Sequence, residues 1–181
     1  HVPAGGRVLD PFAGSGTTSP AGIAYAPSGL LYITGSFLSI TDFGDGGRVA
    51  GFMRDAFVVA LHADGTHEWD ETWDSGTEGG KSVAACPSGG VLVGGDFEAY
   101  GLDFGGGPRS SMSLQSVFVV ALDSAGDYLW DYTAGGVVAA SLATVLCGVD
   151  PNVPHVLVGT FTGTVDFGGG ARTSDGGEAF A

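Results

Sequence analysis

Hydrophobic positions in this chain come in short bursts, and none of them follows a helical period. Residues 22–26 form one apolar stretch that runs into Pro27-Ser28-Gly29, residue types that a tight turn demands. Residues 31–35 follow as a second strand, and Asp42-Phe43-Gly44 with the glycines after it makes a longer connection. Residues 57–61, Phe-Val-Val-Ala-Leu, are an uninterrupted β-rich run, which predicts a strand buried on both faces. His62-Ala63-Asp64-Gly65 is a hairpin turn, and residues 66–73 roughly alternate, as an outer strand does. Helix caps and long helical periods are both missing from the sequence.

This pattern repeats. Gly35-Ser36-Phe37, Gly95-Asp96-Phe97 and Gly159-Thr160-Phe161 are spaced by 60 and 64 residues. Asp42-Phe43-Gly44, Asp103-Phe104-Gly105 and Asp166-Phe167-Gly168 are spaced by 61 and 63. Ala56-Phe57, Val117-Phe118 and Ala179-Phe180 are spaced by 61 and 62, and Trp69 and Trp130 by 61. Residues 7–37 overlay 67–97 without a gap, so that Asp10 meets Asp70 and Ser15-Gly16-Thr17 meets Ser75-Gly76-Thr77. Four short meandering strands per period, with glycine at the turns, mark a β-propeller blade. The expected organisation is one all-β array over 1–181. Residues 1–20 end a first blade, 21–81 and 82–142 are blades, and 143–181 is an incomplete blade. A longer chain or a second copy is expected to complete it, because a raw blade face is a large apolar patch.

The segments 83–89, 91–97, 103–107 and 118–123, with Leu129-Trp130, resemble the SBBP-type bacterial β-propeller repeat. The resemblance covers nearly the whole chain. It implies a propeller fold and a secreted or envelope-associated bacterial protein, and it carries over no catalytic residue. The third copy departs from the pattern at 147–154, where the first turn is longer.

Composition narrows the field further. Glycine accounts for 34 of 181 residues, and the apolar fraction of 44% supplies enough hydrocarbon for a core. Six basic against 20 acidic side chains leave a formal charge of −14, with Lys81 the single lysine. Such a surface repels phosphate backbones, so neither nucleic acid nor membrane insertion is expected.

Residues 8–18, Val-Leu-Asp-Pro-Phe-Ala-Gly-Ser-Gly-Thr-Thr, look like the cofactor motif of DNA amino-methyltransferases. The chain has no Pro-Pro for that family's catalytic motif, the residues fall in register with the repeat, and the charge is wrong for DNA, so the match is read as coincidence. Asp42, Asp103 and Asp166 recur on one rim, where carboxylates could hold calcium. Their simpler role is to cap a tight turn, since the Asp-x-Asp-x-Asp-Gly spacing is absent. His62, Asp64, His67 and Glu68 share a hairpin, but the second copy has Asp123 and Asp127 there and no histidine, which favours solvated surface over a metal site. His155 has no evident partner.

Cys86 and Cys147 are 61 residues apart and so occupy the same place in successive copies. Equivalent positions in stacked sheets sit roughly 10 Å apart, and a disulfide needs Cα atoms within about 7 Å. Two free, buried thiols are therefore expected. Trp69 and Trp130 repeat in register and are assigned to packing. Trp73 is the less constrained candidate for stacking on a sugar.

No catalytic, cofactor-binding or metal-binding residue is assigned from the sequence, and no cofactor is implied. The expected function is a non-enzymatic, secreted or cell-surface scaffold for binding or structure. Its rivals are a self-assembling fibre or oligomer joined blade to blade, and a lectin-like glycan-binding propeller. A propeller lyase or glycosidase is the enzymatic alternative. The partners implied are a second copy of the chain, or a surface glycan or protein.

Overall fold

The structure is a computed structural model that describes residues 16–51, 53–111, 115–135, 139–149 and 153–181. Within these the protein is all-β. The first sheet is formed by β1 (Thr17–Tyr25), β2 (Leu31–Leu38), β5 (Asp55–Leu61) and β6 (His67–Trp73), side by side in that order. Between β2 and β5 the chain makes a small hairpin, β3 (Ile40–Asp42) and β4 (Gly47–Val49). The second sheet runs β7 (Gly76–Ala85), β8 (Val91–Asp103), β10 (Ser116–Leu122), β11 (Tyr128–Ala134), with β9 (Pro108–Ser110) on the far end of β8. The third comprises β12 (Ala139–Leu146), β13 (Val156–Asp166) and β14 (Ala171–Phe180). Neighbouring strands within each sheet are antiparallel. Among the described residues no helix is long and apolar enough to cross a membrane.

The expected strands are present, and every residue of β5 and β10 is buried. The Asp-Phe-Gly segment is more ordered than a connection. It is the tip of a hairpin formed by β3 and β4, and by β8 and β9 in the second copy.

The recurring Gly-x-Phe motif has a steric cause. Gly35, Gly95 and Gly159 pair across the sheet with Phe57, Phe118 and Phe180. The phenyl ring crosses over the glycine: a Cβ on Gly95 would lie 2.7 Å from the Phe118 ring, and one on Gly159 would lie 2.4 Å from that of Phe180. From the other side a carbonyl of the first strand crowds the same spot, Ser19 O at 2.3 Å, Gly79 O at 2.0 Å and Ser141 O at 2.3 Å. That crowding accompanies a register shift in each first strand, at Pro20/Gly22, Gly80/Ser82 and Leu142/Thr144.

The sheets stack by one rule. Ala56, Val58 and Ala60 of β5, with Trp73, meet Phe97, Phe104, Phe118, Val120 and Leu122 of the second sheet. One sheet on, Val117, Val119 and Ala121 of β10 meet Phe161, Val165 and Phe180 of the third. A face of small residues thus lies against a face of aromatic ones twice over. Phe57 and Phe118 are completely buried, each gaining roughly 2–3 kcal/mol from leaving water. First strands also lie close together. A Cβ on Gly22 of β1 would come 3.0 Å from the Val83 amide nitrogen of β7, and the Val145 amide of β12 donates to Ser82 Oγ at 3.2 Å.

The expectation of two free thiols is overturned. Cys86 and Cys147 form a disulfide, with Cα atoms 5.3 Å apart. Strand pairing explains why. Ala84 pairs with Leu92, and Leu146 with Val156, so β12 is offset from β7 by 62 residues and not 61. Cys147 therefore corresponds to Ala85. A slip of one residue turns a side chain to the opposite face. Cys86 faces forward from the second sheet, Cys147 faces back from the third, and they meet in the shared core.

Candidate functional site

The turn aspartates hold backbone. Asp42 Oδ1 accepts the amides of Gly44 at 2.8 Å and Gly46 at 3.1 Å. Asp103 Oδ1 accepts those of Gly105 at 2.8 Å and Gly107 at 2.9 Å, and Asp166 Oδ1 those of Gly168 at 2.7 Å and Gly170 at 3.1 Å. The glycines have positive φ, which suits residues without a Cβ. The amides of Gly44 and then Gly46 hold the Asp42 carboxyl below its ordinary range.

Beside each of the first two turns sits a bidentate ion pair. Arg48 donates from Nε and Nη2 to Asp70 at 2.8 Å each, and Arg109 likewise to Asp131 at 2.7 and 2.9 Å. Each arginine also donates to its turn, to Gly46 O and Gly107 O. The clamp ties the hairpin to the outer strand, β6 or β11. Arg172 is the third of the series.

Asp45, His67 and Asp70 bring ligand atoms within 4.8 Å of one another. Arg48 bridges both carboxylates, and His67 Nε2 lies 2.8 Å from Asp70 Oδ1. In the second copy Tyr128 takes the place of His67, donating to Asp131 Oδ1 at 2.8 Å. The same geometry without histidine marks this group as part of the clamp. Of the other histidines, His62 pairs with Glu68, and His155 accepts from the Gly148 amide at 3.1 Å and stacks on Trp130 with ring centres 5.6 Å apart. The Asp131 side chain is completely buried, so Arg109→Ala strands a charge. A loss of about 3 kcal/mol is expected in urea unfolding. A loss under about 1 kcal/mol would mean that the pair behaves like an ordinary surface bridge.

Trp73 is the most buried of the tryptophans rather than the freest. It is 4% exposed and packs edge-on against Phe104 and Phe118 at 5.5 and 6.3 Å, so no sugar can stack on it. Its counterpart Ala134 shows why the repeat did not reveal this. Trp69 packs on Tyr32, and its indole donates to Ser124 O at 3.0 Å, as a packing role requires. Trp130 borders a cleft of about 470 Å³ that also contains His155, Leu129, Val149 and the disulfide.

The methyltransferase-like motif falls mostly on residues 8–15, outside the described residues. Its last residues, Thr17 and Thr18, open strand β1, where a methyltransferase would run into a helix.

The repeat also breaks at a group of three acids. Asp55, Asp74 and Glu78 correspond to Ser116, Gly135 and Ala140 in the next copy. Asp55 and Glu78 are each 1% exposed. Asp55 Oδ2 accepts the Gly51 amide at 3.0 Å, whereas its Oδ1 and both oxygens of Glu78 have no hydrogen-bond partner. Asp74 is exposed and lies over Gly51, where a Cβ would come 2.6 Å from its Oδ1. Burial first, then the charges of Asp55 and Asp74, pushes the Glu78 carboxyl up to about 8. The Ser75 and Gly76 amides oppose this without reaching good hydrogen-bond geometry. Burial likewise pushes Asp55 up to about 6, with Asp74 adding and the Gly51 amide opposing. Glu78 lines a polar cleft of about 420 Å³ with Arg54, Lys81, Asp96 and Gln115.

Raised carboxyl values mean that the folded state holds protons which the unfolded chain releases. Their stabilising contribution is complete below the ordinary carboxyl range and is lost as pH rises through about 6 and then about 8. With a chelator present, wild-type Tm minus that of Glu78→Gln is expected to fall between pH 5 and 9. A difference that stays flat or rises contradicts the assignment.

Asp96 is the satisfied counterpart. It is buried, accepts from Gln115, Ser141 and the Leu142 amide at 2.7–2.9 Å, and has the Lys81 ammonium at 3.3 Å. It fastens the second sheet to β12. No protein-family profile and no curated protein matches the chain.

Proposed function

We propose that the chain is a segment of a β-propeller of the SBBP-like kind, acting as a non-enzymatic scaffold for binding or structure. The observation that carries this is the twice-repeated stacking of a small-residue face on an aromatic one. The closeness of β1 to β7 and of β7 to β12 supports blades fanned about an inner edge. The recurring polar features, turn aspartates and arginine clamps, are used up in holding the blades, which favours a scaffold over an enzyme. A secreted or envelope location is supported by the disulfide, which persists in oxidising compartments. A crystal structure tests the fold: the reading expects β1, β7 and β12 to converge on one axis, and a flat stack with uniform spacing contradicts it.

One observation favours blade-to-blade assembly as a second reading. Leu146 and Val156, on the free side of the third sheet, are exposed. Val156 occupies the position of Leu92 and Tyr32, which are covered in their own sheets. The aromatic face of a further repeat fits there. Sedimentation velocity tests it: concentration-dependent association abolished by Val156→Lys supports the reading, and a monomer at all concentrations removes it.

A further inference from the structure

We propose that Asp55, Asp74 and Glu78 form a binding site for a hard divalent cation of the calcium type. Such a site does not depend on the propeller reading.

Three observations converge. First, two nearly fully buried carboxylates present three oxygens that no donor meets in hydrogen-bond geometry. Native proteins rarely leave such groups unmet, because desolvating a charge without compensation is expensive. Other buried acids of this chain are met: Asp70 and Asp131 by arginines, Asp96 by three donors and Lys81. Among the described residues no arginine, lysine or histidine forms an ion pair with Asp55, Asp74 or Glu78. Second, the triad occurs at one junction and not at the next, where Ser116, Gly135 and Ala140 stand. The stacking of one repeat on the next therefore does not by itself call for these acids. Third, Gly51 gathers the acids: its amide binds Asp55, and its missing side chain leaves room for Asp74.

Carboxylate oxygens are the donors that calcium prefers, at about 2.3–2.6 Å and in irregular geometry. Asp55 and Glu78 are fixed on β5 and β7. Asp74 lies in the short connection between β6 and β7 with its side chain exposed, and binding would draw it inward. Closure is needed, since the ligand atoms of the three are not already gathered within 4.8 Å. Glu78 also borders the polar cleft, whose two cations are already engaged. Arg54 there is engaged by the Ser19 and Ser36 hydroxyls and Lys81 by Asp96.

The test uses the purified chain stripped with a chelator, with calcium and terbium as probes. Calcium is expected to raise Tm, and terbium bound beside Trp73 is expected to emit on indole excitation and be displaced by calcium. Asp74→Asn should weaken binding about tenfold while leaving the chelated Tm no lower, because the side chain is exposed and its charge opposes those of Asp55 and Glu78. Glu78→Gln should abolish the calcium response while folding at least as well at pH 8. Asp45→Asn serves as control and should bind normally. Absence of both responses overturns the proposal. So do responses that survive Asp74→Asn and Glu78→Gln unchanged, or that vanish only with Asp45→Asn.

Discussion

Gly95→Ala is expected to cost about 3 kcal/mol or more, one of the largest losses available from a single methyl group in this chain. The new Cβ would lie 2.0 Å from the Gly79 carbonyl oxygen and 2.7 Å from the Phe118 ring. Neither can yield. The carbonyl belongs to the shifted strand β7, and the ring is wedged between Phe97 and Phe104, with centres 6.3 and 4.9 Å away. At this chain length the loss corresponds to a fall of roughly 6–12 °C in Tm. Gly29→Ala is the control for conformation alone. Its φ is +93° with nothing within 4 Å, so about 1 kcal/mol is expected there. Urea unfolding of both variants decides the matter, and equal losses would refute the steric account of the Gly-x-Phe motif.

Removing the disulfide is expected to cost about 3–4 kcal/mol, since it closes a loop spanning 61 residues. Cys86→Ser paired with Cys147→Ser, or a reductant, should lower Tm by roughly 6–16 °C. The bond also pins β7 to β12 at the turn end, so the third sheet should then exchange its amides faster than the first. Peptide mapping without reductant should recover residues 86 and 147 in one linked fragment. Alkylation of both thiols in the native protein, with Tm indifferent to reductant, would restore the expectation of free cysteines.

Local pattern made much of the architecture readable. The continuous apolar run at 57–61 could be buried on both faces only between two layers, and β5 is. Pro27-Ser28-Gly29 had the residues of a turn and makes one between β1 and β2. What failed was long-range register. Counting 61 residues between Cys86 and Cys147 placed both on one face, while strand pairing advances by 62 there. A bulged strand breaks the equality between sequence spacing and structural equivalence, and no local signal announces it.

The arginine clamps were missed although their signal was present. Arg48 and Arg109, like Asp70 and Asp131, recur at the period of the repeat, and each pair is separated by 22 residues. Trp73 was misjudged because its counterpart is Ala134, so periodicity gave no hint that the indole fills an interface. The acids at 55, 74 and 78 were invisible for the opposite reason. A search for recurring residues passes over what does not recur, and in a repeat protein a polar departure in buried surroundings is the place to look for a site.

The stacking of sheets is tested most directly by nuclear Overhauser contacts across the first interface. Trp73 of the first sheet and Phe104 and Phe118 of the second have ring centres 5.5 and 6.3 Å apart. Cross-peaks between the Trp73 indole protons and both phenyl rings, lost on Phe118→Leu for that ring alone, are the predicted result. Strong contacts of Trp73 with Phe37 and Phe57 instead would put the indole on the opposite face of its own sheet, and the repeated small-against-aromatic packing would be wrong.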